Sequence, residues 1–321
     1  PRPARAVLAL LMLRRALTLA LMALVGLVAV SARRINRARR QACAMALGSP
    51  REFAGLTLNA DHVVSTSPCG LAVAYGGLRP VLPGHTIVAP TRRVERFAQL
   101  QDDELQAIVR LALSVQRQVG SHLNATAFNL ALKDGKGAGQ PVPHLHLHVV
   151  PRTAGDLAVN DEVYGRIDRW SPAGEPNVVP PMVLPPDEAR APRSEAEMAA
   201  EAARYVYVRG ERGPPLPAPV LFGRFELAPT QVFYRSEAGL SLAVVNLKPL
   251  SPGHVLVIPR RVVATLAQLN ADELADLWRS AREVHALVCG VHGAGAALFG
   301  VQDGRGAGQS VPHAHIHIIP R

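Results

Sequence analysis

The chain has 321 residues, 48% hydrophobic and 4% aromatic, with a formal net charge of +10. The charge is local: residues 1–51 hold ten arginines and no acid, and beyond them 25 basic residues face 25 acidic ones. Composition therefore excludes a basic nucleic-acid-binding face and an aromatic platform for single strands.

Residues 1–44 read as a basic and apolar leader. Within it, residues 16–32 are an uncharged apolar run between Arg14-Arg15 and the arginines of 33–40. Such a run sits at the short limit for a membrane span. It fits a membrane anchor, an organellar presequence, or a segment absent from the mature protein. A membrane contact is expected only if the leader is retained. The scattered Cys43, Cys69 and Cys289 form neither a zinc spacing nor a disulfide framework, so a cytoplasmic location is the expectation otherwise.

Residues 45–152 read as a first domain. Short strands and turns are predicted over 53–90, with Cys69-Gly70 at a hairpin turn. The strand Ile87-Val88-Ala89 follows Pro83-Gly84-His85, whose histidine reads as structural. Leu105, Ile108, Val109, Ala112 and Val115 form one stripe and predict a helix over 102–120.

Asp134 to Arg152 then reads DGKGAGQPVPHLHLHVVPR. Its glycines suit a loop whose backbone amides approach an anion closely. No Gly-Lys-Ser/Thr follows, so it is not a P-loop. His144, His146 and His148 alternate with leucines, which predicts a β-strand carrying all three imidazoles on one face. Two chemistries fit that face. Alternating imidazoles can reach one zinc, or a neutral imidazole can attack phosphorus. Spacing does not decide between them; the single acid of the motif, Asp134, leans toward the nucleophile.

Residues 153–209 read as a continuation of the first domain. Residues 171–192 are Pro-rich and predicted irregular. A helix is predicted from Ser194 as its N-cap, followed by a strand at Tyr205-Val206-Tyr207-Val208. Residues 210–220 form a Pro-rich linker.

Residues 221–321 repeat the first domain at an offset of 169 residues, as from Asp134 to Asp303. Phe222, Pro252-Gly253-His254, Ala267-Gln268-Leu269 and Asp272-Glu273-Leu274 each match the first copy. Ala238-Gly239 marks a turn, and Asn270-x-x-Glu273 predicts a capped helix. The repeat ends in DGRGAGQSVPHAHIHIIPR, with His313, His315 and His317. A period this long marks a duplicated domain.

His-φ-His-φ-His followed by two apolar residues resembles the histidine triad (HIT) superfamily. The preceding Asp-Gly-x-x-Ala-Gly-Gln narrows the resemblance to its fragile histidine triad (Fhit) branch, the dinucleoside triphosphate hydrolases. The resemblance implies an α+β fold of two tandem HIT domains, each a small antiparallel sheet with packed helices, paired as an intrachain pseudo-dimer. It implies hydrolysis of diadenosine triphosphate to AMP and ADP through a nucleotidyl-histidine. Binding partners would then be dinucleoside polyphosphates or mononucleotides, with no nucleic acid. A divalent cation, Mg²⁺ or Mn²⁺, would accompany the substrate, with no tightly bound metal.

Carried over residue by residue, the nucleophile falls on His315 or His146. Its flanking histidines are His313 and His317, or His144 and His148. The phosphate cradle falls on Gly308, Gln309, Ser310 and Val311, with Gln140 in the first copy, where Pro141 offers no N–H. The ribose-binding position is Asn246, where the first copy has Gly77. The phosphate-contacting position is Gln302, where the first copy has Lys133. Tyr164 matches a lid tyrosine. The second copy is thus the better-equipped core, and the first supplies the lid. A nucleoside phosphoramidase of the Hint-like branch and a nucleotide sensor with one degenerate domain are the alternatives.

Overall fold

The computed structural model describes residues 51–76, 78–174, 189–209 and 220–321. The leader 1–44, Gly77, most of the Pro-rich stretch and the linker 210–219 lie outside these residues. Residues 50–67 and 71–321 make one compact unit.

The first half contains β1 (Arg51–Phe53), β2 (Leu56–Leu58), β3 (Val63–Thr66), β4 (Ala72–Gly76) and β5 (Thr86–Pro90). These are followed by α1 (Asp102–Leu123), β6 (Ala127–Asp134), β7 (Leu147–Arg152), α2 (Glu162–Asp168) and α3 (Glu195–Arg209). The second half contains β8 (Val220–Phe222), β9 (Phe225–Leu227), β10 (Val232–Arg235), β11 (Ser241–Val245) and β12 (Val255–Pro259). It closes with α4 (Ala271–His292), β13 (Ala297–Asp303) and β14 (Ile316–Pro320).

Ten of these strands form one antiparallel sheet in the order β10-β11-β12-β14-β13-β6-β7-β5-β4-β3. The halves meet at its centre, where β13 pairs with β6. Gly300 faces Ala131 there, and these two residues are 169 positions apart, the offset of the repeat. A pseudo-two-fold axis therefore passes through this residue pair. The expected intrachain pairing takes the form of a continuous sheet.

Helices α1 and α4 cover one face and pack on each other. Leu130 and Leu147 of the sheet meet Val109 and Ala112 of α1 and Leu274 and Trp278 of α4. The predicted stripe of α1 is buried, and the helix runs three residues past its expected end. Asn270 caps α4 by accepting from the N–H groups of Asp272 and Glu273.

Two expectations change. Tyr205 to Val208 is the last turn of α3, not a strand. Met198, Ala202 and Tyr205 are buried at helical spacing, and burial of that stripe overrides the β-propensity of four residues. It packs on β10, β11 and α4 of the second half, with the Tyr205 ring 4.6 Å from Phe233. The triad strands also start late, at Leu147 and Ile316. The carbonyls of His144 and His313, which a ladder would use, are taken by the rings of His146 and His315.

Candidate active site

The second triad follows from its hydrogen bonds. His313 lies between two backbone groups: its Nε2–H donates to the Pro259 carbonyl at 2.9 Å, and its Nδ1 accepts from the Gly223 N–H at 3.0 Å. Gly223 turns there with φ 60°, and a Cβ would strike Val311. His315 donates Nδ1–H to the His313 carbonyl at 2.6 Å. That bond fixes its tautomer and leaves the Nε2 lone pair free.

His254 sets the third ring. The Leu250 N–H donates to its Nδ1 at 3.0 Å, so the proton sits on Nε2 and is donated to His317 Nδ1 at 2.9 Å. His317 must then carry its own proton on Nε2. The site thus presents one lone pair, on His315, beside one ring N–H, on His317. One lone pair does not suit a zinc held by the triad. Among the described residues no group of three or more His, Cys, Asp or Glu side chains is arranged to hold a metal ion.

Burial keeps these rings neutral. It lowers His315 to about 4 and His254 to about 3, and holds His317 well below its ordinary value. Phe222 lies against the site, 5.2 Å from the His315 ring in an edge-on arrangement.

The glycine loop leads directly into the triad, with Gly308 five residues before His313. Gly308 has φ 87°, and a Cβ there would collide with the Asn160 side chain. Among the described residues, the N–H groups of Gln309, Ser310 and Val311 donate to no group of the chain. The Gln309 side chain is a brace, donating to the Ala264 carbonyl at 2.8 Å. The Gln140 side chain does the same for the first loop, accepting from the Gly135 N–H at 2.7 Å. The backbone of the first loop offers less: the Gln140 N–H donates to the Gly135 carbonyl at 3.3 Å, and Pro141 has no N–H.

The matching sequence signature covers residues 60–155 and 226–321, and it is that of the HIT domain. The chain belongs to the HIT domain family. A bis(5'-nucleosyl)-tetraphosphatase (asymmetrical) of Schizosaccharomyces pombe is 51% identical over 106 residues, covering 33% of this chain and 57% of that protein. A bifunctional bis(5'-adenosyl)-triphosphatase/adenylylsulfatase of Arabidopsis thaliana is 49% identical over 100 residues, covering 31% of this chain and 54% of that protein. The chain thus spans little more than half the length of either curated relative. The crystal structure of the Caenorhabditis elegans NitFhit protein shares 36% identity at a TM-score of 0.32, covering 36% of this chain and 28% of that one.

The first HIT domain repeats the wiring. His144 Nε2–H donates to Pro90, His146 Nδ1–H to His144, and His85 Nε2–H to His148 Nδ1 at 3.0 Å. Burial lowers His146 to about 4. His85 and His254, read as structural from the sequence, thus orient the third histidine in each domain. The repetition of Pro-Gly-His at the same offset was the available signal.

Other sequence-predicted residues are dispersed. Lys133 is not free to hold phosphate: its amino group donates to the Ile167 and Asp168 carbonyls and lies 3.2 Å from the Asp168 carboxylate. Its counterpart Gln302 donates to the Tyr164 hydroxyl at 2.8 Å. Helix α2 therefore bridges the axis, touching Lys133 of one domain and Gln302 of the other. With Asn160 over Gly308 and Tyr164 on Gln302, this segment of the first domain lies against the second domain's glycine loop. Asn246 accepts from the Lys248 N–H at 3.0 Å, and its amide nitrogen lies 3.1 Å from His254 Nε2. Arg193 of the first domain's tail donates to the Asn246 carbonyl at 3.0 Å.

Proposed function

We propose that the chain hydrolyses dinucleoside polyphosphates, with diadenosine triphosphate cleaved to AMP and ADP, at the second HIT domain. The reading is carried by the neutral His315, with its free Nε2, in a triad that directly follows a loop of undonated backbone N–H groups. The names of the two curated relatives support the substrate class.

The His315 Nε2 lone pair attacks the α-phosphorus, a P–N bond forms, and the P–O bond to the bridging oxygen breaks. ADP leaves with that electron pair. The His313 carbonyl, already holding the Nδ1–H, stabilises the positive charge the ring acquires. His317 donates its Nε2–H to a phosphoryl oxygen, and the loop amides receive the charge that develops in the transition state. Water then attacks phosphorus, the P–N bond breaks, and AMP departs as the water's proton is released. Splitting one displacement into two is the gain from a covalent route. A divalent cation, Mg²⁺ or Mn²⁺, enters as the counter-ion of the substrate's phosphates.

Turnover of diadenosine triphosphate by the intact chain, His315→Asn and His146→Asn tests this directly. The expected result is loss of turnover in His315→Asn alone. Full activity in His315→Asn would overturn the assignment to the second domain.

A further inference from the structure

The two triads differ most in what lies in front of them. In the first domain the answer is Trp170. Its ring is 5.3 Å from His146, 4.9 Å from His148 and 6.0 Å from His85. Its indole N–H donates to the Leu78 carbonyl at 2.9 Å. It belongs to a buried apolar cluster with Phe53, Leu58, Val73, Tyr75 and Ile87.

The second domain builds the same cluster at the repeat offset, from Leu242, Val244 and Leu256 with Phe222 and Leu227. No tryptophan joins it. The consequence is visible at one position: Leu78, under the indole, is 9% exposed, whereas its counterpart Leu247 is 49% exposed. The reactive atoms differ likewise. Among the described residues, Nε2 of His146 and of His148 is buried with no hydrogen-bond partner. A lone pair buried in this way, beside an aromatic ring, cannot reach phosphorus.

The Lys133–Asp168 pair fixes the segment that carries Trp170. Its lysine is buried, so withdrawing the tryptophan would strand a charge in the interior. An indole is a flat fused bicycle with one ring N–H, the size and shape class of a purine.

We propose that Trp170 permanently occupies the nucleoside side of the first triad's pocket, as a ring supplied by the chain itself, so that one chain holds a single nucleotide-binding site. This rests on the nucleotide reading above, and it assigns the first domain a filled pocket in place of a second active site. His146 is then unreactive because its approach is taken, not because its tautomer is wrong.

The chain has two tryptophans, Trp170 and Trp278, so Trp278→Phe leaves Trp170 as the sole reporter. Titration of this protein with AMP, followed by calorimetry and by acrylamide quenching, is expected to give one equivalent bound per chain. Trp170 emission stays blue and protected at saturation. Two equivalents, or exposure of Trp170 by AMP, overturns the proposal. Trp170→Gly is then expected to bind a second equivalent of AMP, and indole to compete for it. If Trp170→Gly still binds one equivalent while indole restores its thermal stability, Trp170 is a core side chain and nothing more, and the proposal fails alone. Absence of AMP binding to the wild-type chain overturns the nucleotide reading as well.

Discussion

Asp134 lies 3.2 Å from His285 of the other domain. Its counterpart Asp303 accepts a 3.0 Å hydrogen bond from Gln116, which occupies the position equivalent to His285. The same repeat position thus ties the domains together in both directions, once by charge and once by a neutral amide. Burial alone would lower the His285 imidazole; Asp134 and Cys289 outweigh it and raise the pKa to about 9.

The sign of the resulting pH dependence follows. An unfolded histidine titrates near 6.5 and the folded one near 9, so the stabilisation is complete below about 6.5. It is lost as pH rises through about 9. The melting temperature should fall between these values and level off above them, with a contribution on the order of 3 kcal/mol at stake. His285→Gln, which copies the other half, should melt lower at pH 6 and show no such slope. Melting curves from pH 6 to 10 for both proteins check this.

On the acid side the catalytic ring decides. Burial holds His315 at about 4, so the nucleophile stays unprotonated well below neutrality. The expected profile of kcat/KM is level from pH 7 to 5 and drops around pH 4. An inflection near 6.5 would mean a solvated imidazole and a different site.

His254 acts through His317. Replacing it with alanine leaves His317 Nδ1 without its donor and frees the ring to take the other tautomer. Losing one buried hydrogen-bond partner costs about 1–3 kcal/mol, which corresponds to roughly a 5- to 150-fold loss if it falls on the transition state. The loss should appear in kcat more than in KM. An equal loss in a His85→Ala chain would contradict the silence of the first domain.

Lys133 makes the complementary prediction. Its amino group is paired inside the first domain, so Lys133→Ala breaks the buried ion pair with Asp168 and takes the donor from the Ile167 and Asp168 carbonyls, which should cost about 3–5 kcal/mol of stability. The protein that remains folded should turn over at the wild-type rate. Chemical denaturation and kinetics on the same preparation separate the two effects.

The candidate site is legible in the sequence because its pattern is written in short-range spacing. Alternating histidines, the glycines before them and an ungapped repeat point to the triads, the loops and the two-copy organisation. Spacing starts the triad strand three residues early, because it does not reveal that a side chain captures its neighbour's carbonyl. Tyr205 to Val208 misled for a related reason: four β-formers outweigh a helical stripe until the surface that buries the stripe is known. Trp170 was invisible. It sits in an aperiodic stretch, and its partners are contributed by strands nearly a hundred residues earlier. Lys133 reads as a phosphate ligand because its partner, Asp168, lies 35 residues further on at the end of α2, where spacing gives no link to it.

The sheet that joins β6 to β13 has a genetic consequence. In a dimer of identical chains every substitution is made twice, so no half can lose a function that the other keeps. Here Ala131 and Gly300 meet as two codons, and the equivalent positions Lys133 and Gln302, and Gln116 and His285, are likewise encoded separately. Each pair is free to drift apart. One half can therefore give up its pocket to its own side chain while the other keeps a working one, an arrangement that two copies of a single gene product cannot reach.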